Sequence, residues 1–266
     1  LKELKRRVAV VTGAGGGIGR SVCVELAKRG AHLALVDINE SALQQSAAIV
    51  SEYGINTSTH VVDVSDKNAM AALPAAVLNI HGQINILVNN AGITYQKSFA
   101  THTLEDWEKL VGINWWGVLY GCHYFLEPLK AAGEGHIVNL SSMVAFVGLP
   151  GQSSYCATKA AVHLLTESLL PELAKYNIGV TSVHPGAVKT DILLTTMKTA
   201  DNQQGIQKTH DVVQKIGVSA EHAAKRIVNA IEKNHVRIRI GVDSVLLDLL
   251  KRWFPVSLQK IFQKLM

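Results

Sequence analysis

Three cysteines in 266 residues, Cys23, Cys122 and Cys156, are odd in number and far apart, so neither a disulfide framework nor a Cys-x-x-Cys metal site is suggested and a reducing compartment fits. Charge is also modest. Only 18% of residues are charged and the net charge is +5, spread without a dense basic run, which argues against a nucleic-acid surface. The eleven histidines show no His-Glu-x-x-His or comparable ligand spacing, so no metal site is expected. No uninterrupted apolar run reaches transmembrane length, and the basic start from Lys2 to Arg7 leads into a strand pattern rather than a signal-peptide core. A cytoplasmic location is the expectation. The first residue is Leu1 rather than Met, which leaves room for residues upstream. Repeats, low-complexity tracts and linkers are missing too, so a single domain is expected over residues 1–266. What is present in quantity is hydrophobic sequence, 48%, enough for a large core.

That hydrophobic sequence falls into short runs separated by helical patterns. Val8 to Val11, Leu33 to Val36, Thr59 to Val62, Ile84 to Val88, His136 to Leu140, Gly179 to His184 and Val236 to Ile240 read as seven strands. Strands that alternate with helices throughout predict an α/β fold, a doubly wound parallel sheet of Rossmann type with helices on both faces. The first strand runs into Thr12-Gly13-Ala14-Gly15-Gly16-Gly17-Ile18-Gly19, and Ser21 to Arg29 reads as a helix. Backbone N–H groups and a helix N-terminus then converge on one point, a pyrophosphate site where glycine permits the close approach. The second strand ends in Asp37, about twenty residues after the glycines, where a carboxylate accepts hydrogen bonds from both ribose hydroxyls and repels a 2′-phosphate. NAD is favoured over NADP; a solvated acid at a strand end is the plainer alternative. Asp63-Val64 and Asn89-Asn90-Ala91-Gly92 follow the third and fourth strands, at the edge where such sheets bind ligands, although Asp63 and Asn90 fit local turn roles equally well.

Tyr155 and Lys159 stand four apart and share one face of a predicted helix running to about Tyr176, with Pro171 predicting a kink or early break. A cation about 4 Å from a phenol is worth roughly 4 kcal/mol at an effective dielectric near 20, enough to lower the phenol pKa by about 2 to 3 units. Upstream, Thr103 is the predicted cap of a long helix through Trp107, Leu110, Trp116 and Tyr120 toward Leu126. It is apolar on nearly every face and is expected to lie between its own sheet and a partner subunit. Asn114 falls inside this segment, where a buried amide serves either as a structural pin or as a ligand to an ordered water.

Taken in order, Thr12-Gly13-x-x-x-Gly17-x-Gly19, Asn89-Asn90-Ala91-Gly92, Asn114, Ser142, Tyr155-x-x-x-Lys159 and Pro185-Gly186 resemble the short-chain dehydrogenase/reductase family over about Val8 to Thr190. The resemblance implies a catalytic set of Asn114, Ser142, Tyr155 and Lys159. Tyr155 would be the general acid/base and Ser142 would hold the substrate oxygen; Lys159 would bind the nicotinamide ribose and depress the Tyr155 pKa, with Asn114 holding a water linked to Lys159. It also implies NAD contacts from Gly13, Gly17, Ile18, Gly19, Asp37, Asp63, Val64, Asn90, Ala91, Gly92, Pro185, Gly186, Val188 and Thr190, besides Tyr155 and Lys159. The bulky Trp115-Trp116 after Asn114 and Pro171 in the catalytic helix depart from the family pattern.

The substrate is less legible. Met143, Val144, Phe146 and Val147, with Ile192, Leu193, Leu194 and Met197, would bring apolar side chains near the reacting centre. A hydrophobic secondary alcohol or ketone is expected, with a steroid, a long-chain hydroxy compound and a small diol left open. Reduction of a carrier-bound 3-oxoacyl group is the enzymatic alternative, and an NAD-binding sensor without turnover is the alternative of another class. Residues 191–215 read as a polar substrate lid. In the tail, residues 245–266, Leu246, Leu247, Leu249, Leu250, Trp253 and Phe254, then Leu258, Ile261, Phe262 and Leu265, recur at helical spacing on either side of Pro255. With Lys251, Arg252, Lys260 and Lys264 among them, two amphipathic helices are expected. Packing on the body or a second subunit of a homo-oligomer, dimer or tetramer, is the first expectation, and an anionic membrane surface the second.

Overall fold

The structure, a computed structural model, describes residues 1–264, leaving aside the side chains of Thr196, Lys198, Thr199, Phe262 and Lys264; Leu265 of the tail lies outside the described residues. The chain runs through β1 (Val8–Thr12), α1 (Gly17–Lys28), β2 (His32–Asp37), α2 (Glu40–Ser51), β3 (Thr57–Val61), α3 (Lys67–His81) and β4 (Ile86–Asn89). The second half holds α4 (Leu104–Val111), a π-helical turn (Gly112–Trp116), α5 (Gly117–Tyr124), α6 (Leu126–Ala131), β5 (Gly135–Leu140), α7 (Ser153–Ala174) and β6 (Ile178–Pro185). It closes with α8 (Gln203–Ile216), α9 (Ala220–Lys233), β7 (Arg237–Ile240), α10 (Val242–Trp253) and α11 (Ser257–Lys264). The strands form one parallel seven-stranded sheet in the order β3-β2-β1-β4-β5-β6-β7. The order reverses between β1 and β4, so a crevice opens beyond their carboxyl ends.

Every residue of β1 is buried, which is why the run reads as continuous rather than alternating. Ala9 and Val11 face a layer formed by α1, α2 and α9, including Val22, Leu26 and Ile227. Val8 and Val10 face the opposite layer with Met70, Phe125 and Val162 of the α3, α5 and α7 side. Each fully buried Leu, Val or Phe in these layers contributes roughly 1.5 to 3 kcal/mol relative to exposure, so the two-faced burial of the sheet dominates the fold's stability. Among the described residues no helix is long and apolar enough to cross a membrane.

Several elements differ from the sequence expectation: α1 begins at Gly17 rather than Ser21 and β4 at Ile86 rather than Ile84. β3 is Thr57–Val61 rather than Thr59 to Val62, because the Val62 N–H is the last to bond back to β2, at Asp37 O, and Asp63 then belongs to a turn. The long helix after Thr103 does begin with the expected cap, Thr103 Oγ1 accepting from the Asp106 N–H at 3.2 Å. It is then interrupted by the π turn at Asn114. There Asn114 is held to the Ile93 backbone, and Gly117 lies so close to Val64 that an added Cβ would be 2.8 Å from Val64 Cγ2. α7 passes through Pro171 without breaking and ends at Ala174; only three residues follow the proline, so the lost helical hydrogen bond lies in the last turn.

Candidate active site

The crevice is built from the ends of β1 and β4 inward. Thr12 Oγ1 accepts from the N–H groups of Asn90 (3.0 Å) and Ala91 (3.1 Å), and Asn90 Nδ2 donates to the carbonyls of Thr12 (2.9 Å) and Gly13 (3.1 Å). These bonds lock the two strand ends together. Gly13 sits at φ +66°, and an added Cβ at Gly19 would lie 2.0 Å from Gly13 O, so helix α1 approaches the turn more closely than any side chain allows. The turn is supported from beneath by Arg20, which donates Nε–H to Ser46 Oγ at 2.9 Å and a guanidinium N–H to Gly15 O. Asp37 Oδ2 accepts from the Gly15 N–H at 2.8 Å and Oδ1 from the Asn39 N–H at 2.9 Å, which fixes the carboxylate at the crevice rim.

A cleft of about 420 Å³ runs along this edge and is lined by Gly13, Gly17, Ile18, Asp37, Asp63, Val64, Asn90, Ala91, Gly92 and Thr190. Gly19 lies behind it, against Gly13. Asp63 also acts as a turn residue, since its Oδ1 accepts from Ser65 N (2.9 Å) and Ser65 Oγ (2.7 Å). A second cavity of about 230 Å³ contains Ser142, Tyr155, Lys159, Pro185, Gly186 and Val188, and shares Ile18, Asn90, Gly92, Thr190 and Ile192 with the first. The two spaces are therefore one continuous site.

Within the second cavity Ser142 and Tyr155 line the same wall, and Ser142 acts to lower the phenol's pKa. Lys159, buried, donates Nζ–H to Leu140 O at 2.8 Å and stands 5.7 Å from the Tyr155 ring centroid. The expected depression of the Tyr155 pKa is absent from this arrangement. Burial pushes the phenol up to about 12, with the nearby Ser142 hydroxyl opposing, while burial lowers the Lys159 ammonium to about 8. Desolvation exceeds the attraction of a cation that is turned toward a backbone carbonyl. Asn114 lies outside both cavities and acts as a pin: its Oδ1 accepts from Ile93 N and its Nδ2 donates to Ile93 O, both at 2.9 Å.

Of the expected apolar wall, Met143, Val144, Ile192 and Leu193 line the cavity. Phe146 instead stacks on His184 with ring centroids 4.4 Å apart, and Val147 is core. Residues missed in the sequence complete the site. Gln96 and Gln152 line the same cavity, and the backbone bond from Lys97 N to Gly151 O (2.9 Å) joins their two loops. Asp243 Oδ2 accepts from the Ala187 N–H at 2.6 Å, and His184 shares a hydrogen bond of 3.1 Å between its Nδ1 and Ser142 O. Asp243 follows Gly186 by more than fifty residues, and no local pattern marks it.

A family model described as short chain dehydrogenase matches residues 7–202. SadH, named as an oxidoreductase of Mycobacterium tuberculosis, is 34% identical over 265 residues, covering 98% of this chain and 95% of SadH. Among solved structures, a short-chain dehydrogenase/reductase from Burkholderia phymatum in complex with NAD is similar at a TM-score of 0.89 and 27% identity, covering 97% of each chain. Levodione reductase is similar at a TM-score of 0.83 and 31% identity, covering 91% of this chain and 99% of that one. The chain belongs to the short chain dehydrogenase family, and its relatives are oxidoreductases.

Proposed function

We propose that the protein transfers hydride between NAD(H) and a hydrophobic secondary alcohol or ketone, with Tyr155 as general acid/base. The observation that carries this reading is the convergence of Ser142, Tyr155 and Lys159 on one cavity, continuous with a cleft that Asp37 lines. The residues fit the cofactor: a Cβ at position 13 or 19 would close the turn, Asp37 stands where ribose hydroxyls would be held, and Thr190 bridges both cavities. When bound, NAD supplies the hydride acceptor and, oxidised, a positive charge near the phenol. Tyr155 takes the alcohol proton on Oη, or returns it in reduction, while the Ser142 hydroxyl donates to the substrate oxygen as charge develops there. The phenol's high pKa in the empty site suits the donor role in reduction. The base role draws on the cofactor's charge and on Lys159 turning from Leu140 O toward a ribose.

Met143, Val144, Leu193 and Val213 favour an apolar substrate body, while Gln96 and Gln152 offer amides to a second oxygen, which favours a diol or hydroxyketone over a plain hydrocarbon alcohol. Residues 191–215 serve as the lid: Asp201 accepts from Ser98 N at 2.7 Å and from Thr101 Oγ1 at 2.8 Å, spanning to the opposite loop. Trp116, exposed and stacked on Tyr120 at 5.6 Å, with exposed Leu164 of α7, supports a homo-oligomer through this face. The test is a panel of secondary alcohols and ketones with NAD and NADP, read by reduced-nicotinamide absorbance. Turnover with NAD is expected; binding of NAD without turnover of any substrate would favour the sensor reading, and preference for NADPH with carrier-bound 3-oxoacyl groups the reductase reading.

A further inference from the structure

We propose that α10 and α11 seat the protein on an anionic membrane surface. Helix α10 buries Ser244 and Asp248 fully and Val245, Leu247 and Leu250 in part, while its apolar side chains Leu246, Leu249 and Trp253 point to water. The burial is fixed by polar bonds. Ser244 Oγ donates to His184 O at 2.8 Å, and Asp248, 3% exposed, accepts from Arg237, from Arg239 at 2.7 Å and from Arg252 at 2.9 Å. The helix therefore cannot roll to hide its apolar face without abandoning a buried carboxylate. Phe254, Val256 and Ile261 continue the exposed surface, with Trp253 78% and Val256 64% exposed. Leu246, Leu249 and Trp253 share one helix face by their spacing, and an exposed apolar face of this kind marks a docking surface.

Charge selects the occupant. One Asp248 carboxylate against three guanidiniums leaves the inner side of α10 with a net charge of about +2 at neutral pH, and of the three Arg252 is the most exposed. Residues 249–264 add Lys251, Lys260 and Lys264 and contain no Asp or Glu. A two-fold contact between copies would set this patch against itself, cation facing cation, with no carboxylate in the segment to compensate. A polyanion such as nucleic acid would meet the cations but leave the apolar side chains in water. Anionic lipid satisfies both, taking Trp253, Phe254 and Ile261 into the headgroup and acyl boundary while Lys251 and Lys260 lie among the phosphates. Helix α11 also lies near the site. Gln259 Nε2 lies 3.9 Å from where a Cβ on Gly148 would stand, and Gly148 follows the Met143–Ala145 turn that forms one wall of the substrate cavity. A substrate dissolved in lipid would then enter near the surface that carries it.

The test is co-sedimentation of the full chain with phosphatidylglycerol/phosphatidylcholine vesicles and with phosphatidylcholine vesicles, together with light scattering for the oligomeric state. Two double variants, Trp253→Ser with Phe254→Ser and Lys251→Glu with Lys260→Glu, leave the Asp248 cluster intact; far-UV circular dichroism and the melting temperature check that each is folded. Binding to the anionic vesicles at low salt is expected, reduced at least tenfold by 0.5 M salt and by either double variant. Absence of binding at low salt overturns the proposal, as does equal binding to neutral vesicles. A wild-type dimer that the Trp253→Ser, Phe254→Ser variant converts to monomer also overturns it, because a second copy then covers the face. If the apolar variant does not fold, the charge variant and the salt series decide.

Discussion

Replacing Lys159 with Met should make the cofactor-free protein more stable at neutral pH and inactive. Lys159 is 4% exposed, and burial lowers its ammonium from the ordinary 10.5 to about 8. At about 1.4 kcal/mol per pH unit, holding the charge inside costs about 3 kcal/mol of folding stability. Below pH 8 both folded and unfolded chains carry the proton, so that cost is present in full. As pH rises from 8 to 10.5 the folded state sheds the proton while the unfolded state keeps it, and stability climbs until the cost is gone. Methionine keeps the length and apolar stem but removes the charge, at the loss of the Leu140 O hydrogen bond, worth about 1 kcal/mol. The net gain is about 2 kcal/mol at pH 7, or roughly 4 to 8 °C in melting temperature for a chain of this size. Urea unfolding of wild type and variant at pH 7 and pH 9.5 measures it directly. The gain should shrink markedly at the higher pH. A variant less stable than wild type at pH 7, or a gain that is the same at both pH values, would refute the reasoning.

Tyr155→Phe should retain NAD affinity within a few-fold by calorimetry yet lose turnover by at least a hundredfold, since the shape is kept and the proton carrier removed. Asp37→Ser should narrow the ratio of kcat/KM for NAD over NADP by removing like-charge repulsion, with partial loss of order in the glycine turn because the Gly15 N–H loses its acceptor. Gly19→Ala places a carbon 2.0 Å from Gly13 O and against the Asn90 side-chain amide, so NAD affinity should fall at least tenfold and stability by about 1 to 3 kcal/mol. Asp243→Ala should raise the KM for NAD several-fold while Asp243→Asn, which keeps an acceptor for the Ala187 N–H, restores most of it; equal damage from both would point to the charge rather than the hydrogen bond.

The architecture was legible because parallel strands covered on both faces leave short continuous apolar runs, and each run stops at residues whose chemistry marks a ligand edge. Asp37 stands out by its offset from the glycines and the second strand, whereas Asn90 fitted a turn role equally well and Thr190 came only from the family resemblance; all three line the cleft. What the sequence hid depends on distance along the chain or on solvation. The π turn at Asn114 follows from the close approach of Gly117 to Val64 and Gly121 to Asn89, neither visible in helical periodicity. Tyr155 and Lys159 do share a helix face, but spacing gives no burial, and burial decides the direction of both pKa values. The apolar positions of α10 divide: Leu247 and Leu250 are partly buried on the body as expected, whereas Leu246, Leu249 and Trp253 face water, because Ser244 and Asp248 hold the side of the helix turned inward.

That inward side joins the tail to the chemistry. Arg237, held by Asp248, stands 4.8 Å over the Phe146 ring; Phe146 stacks on His184; and His184 bonds the backbone oxygen of Ser142. Burial pushes the His184 imidazole down to about 3, so it stays neutral across physiological pH, with Nδ1–H donating to Ser142 O and Nε2 accepting from Ser182 Oγ at 2.8 Å. Ser244 meanwhile bonds His184 O and Asp243 bonds Ala187 N, so the same helix fixes both ends of the Pro185-Gly186 turn. A chain cut at residue 245 would lose the Asp248 cluster along with any lipid contact, and its activity and melting temperature would fall for reasons unrelated to membranes. Point changes on the outer face of α10 and α11 separate the two roles, because they leave every bond of the inner face in place.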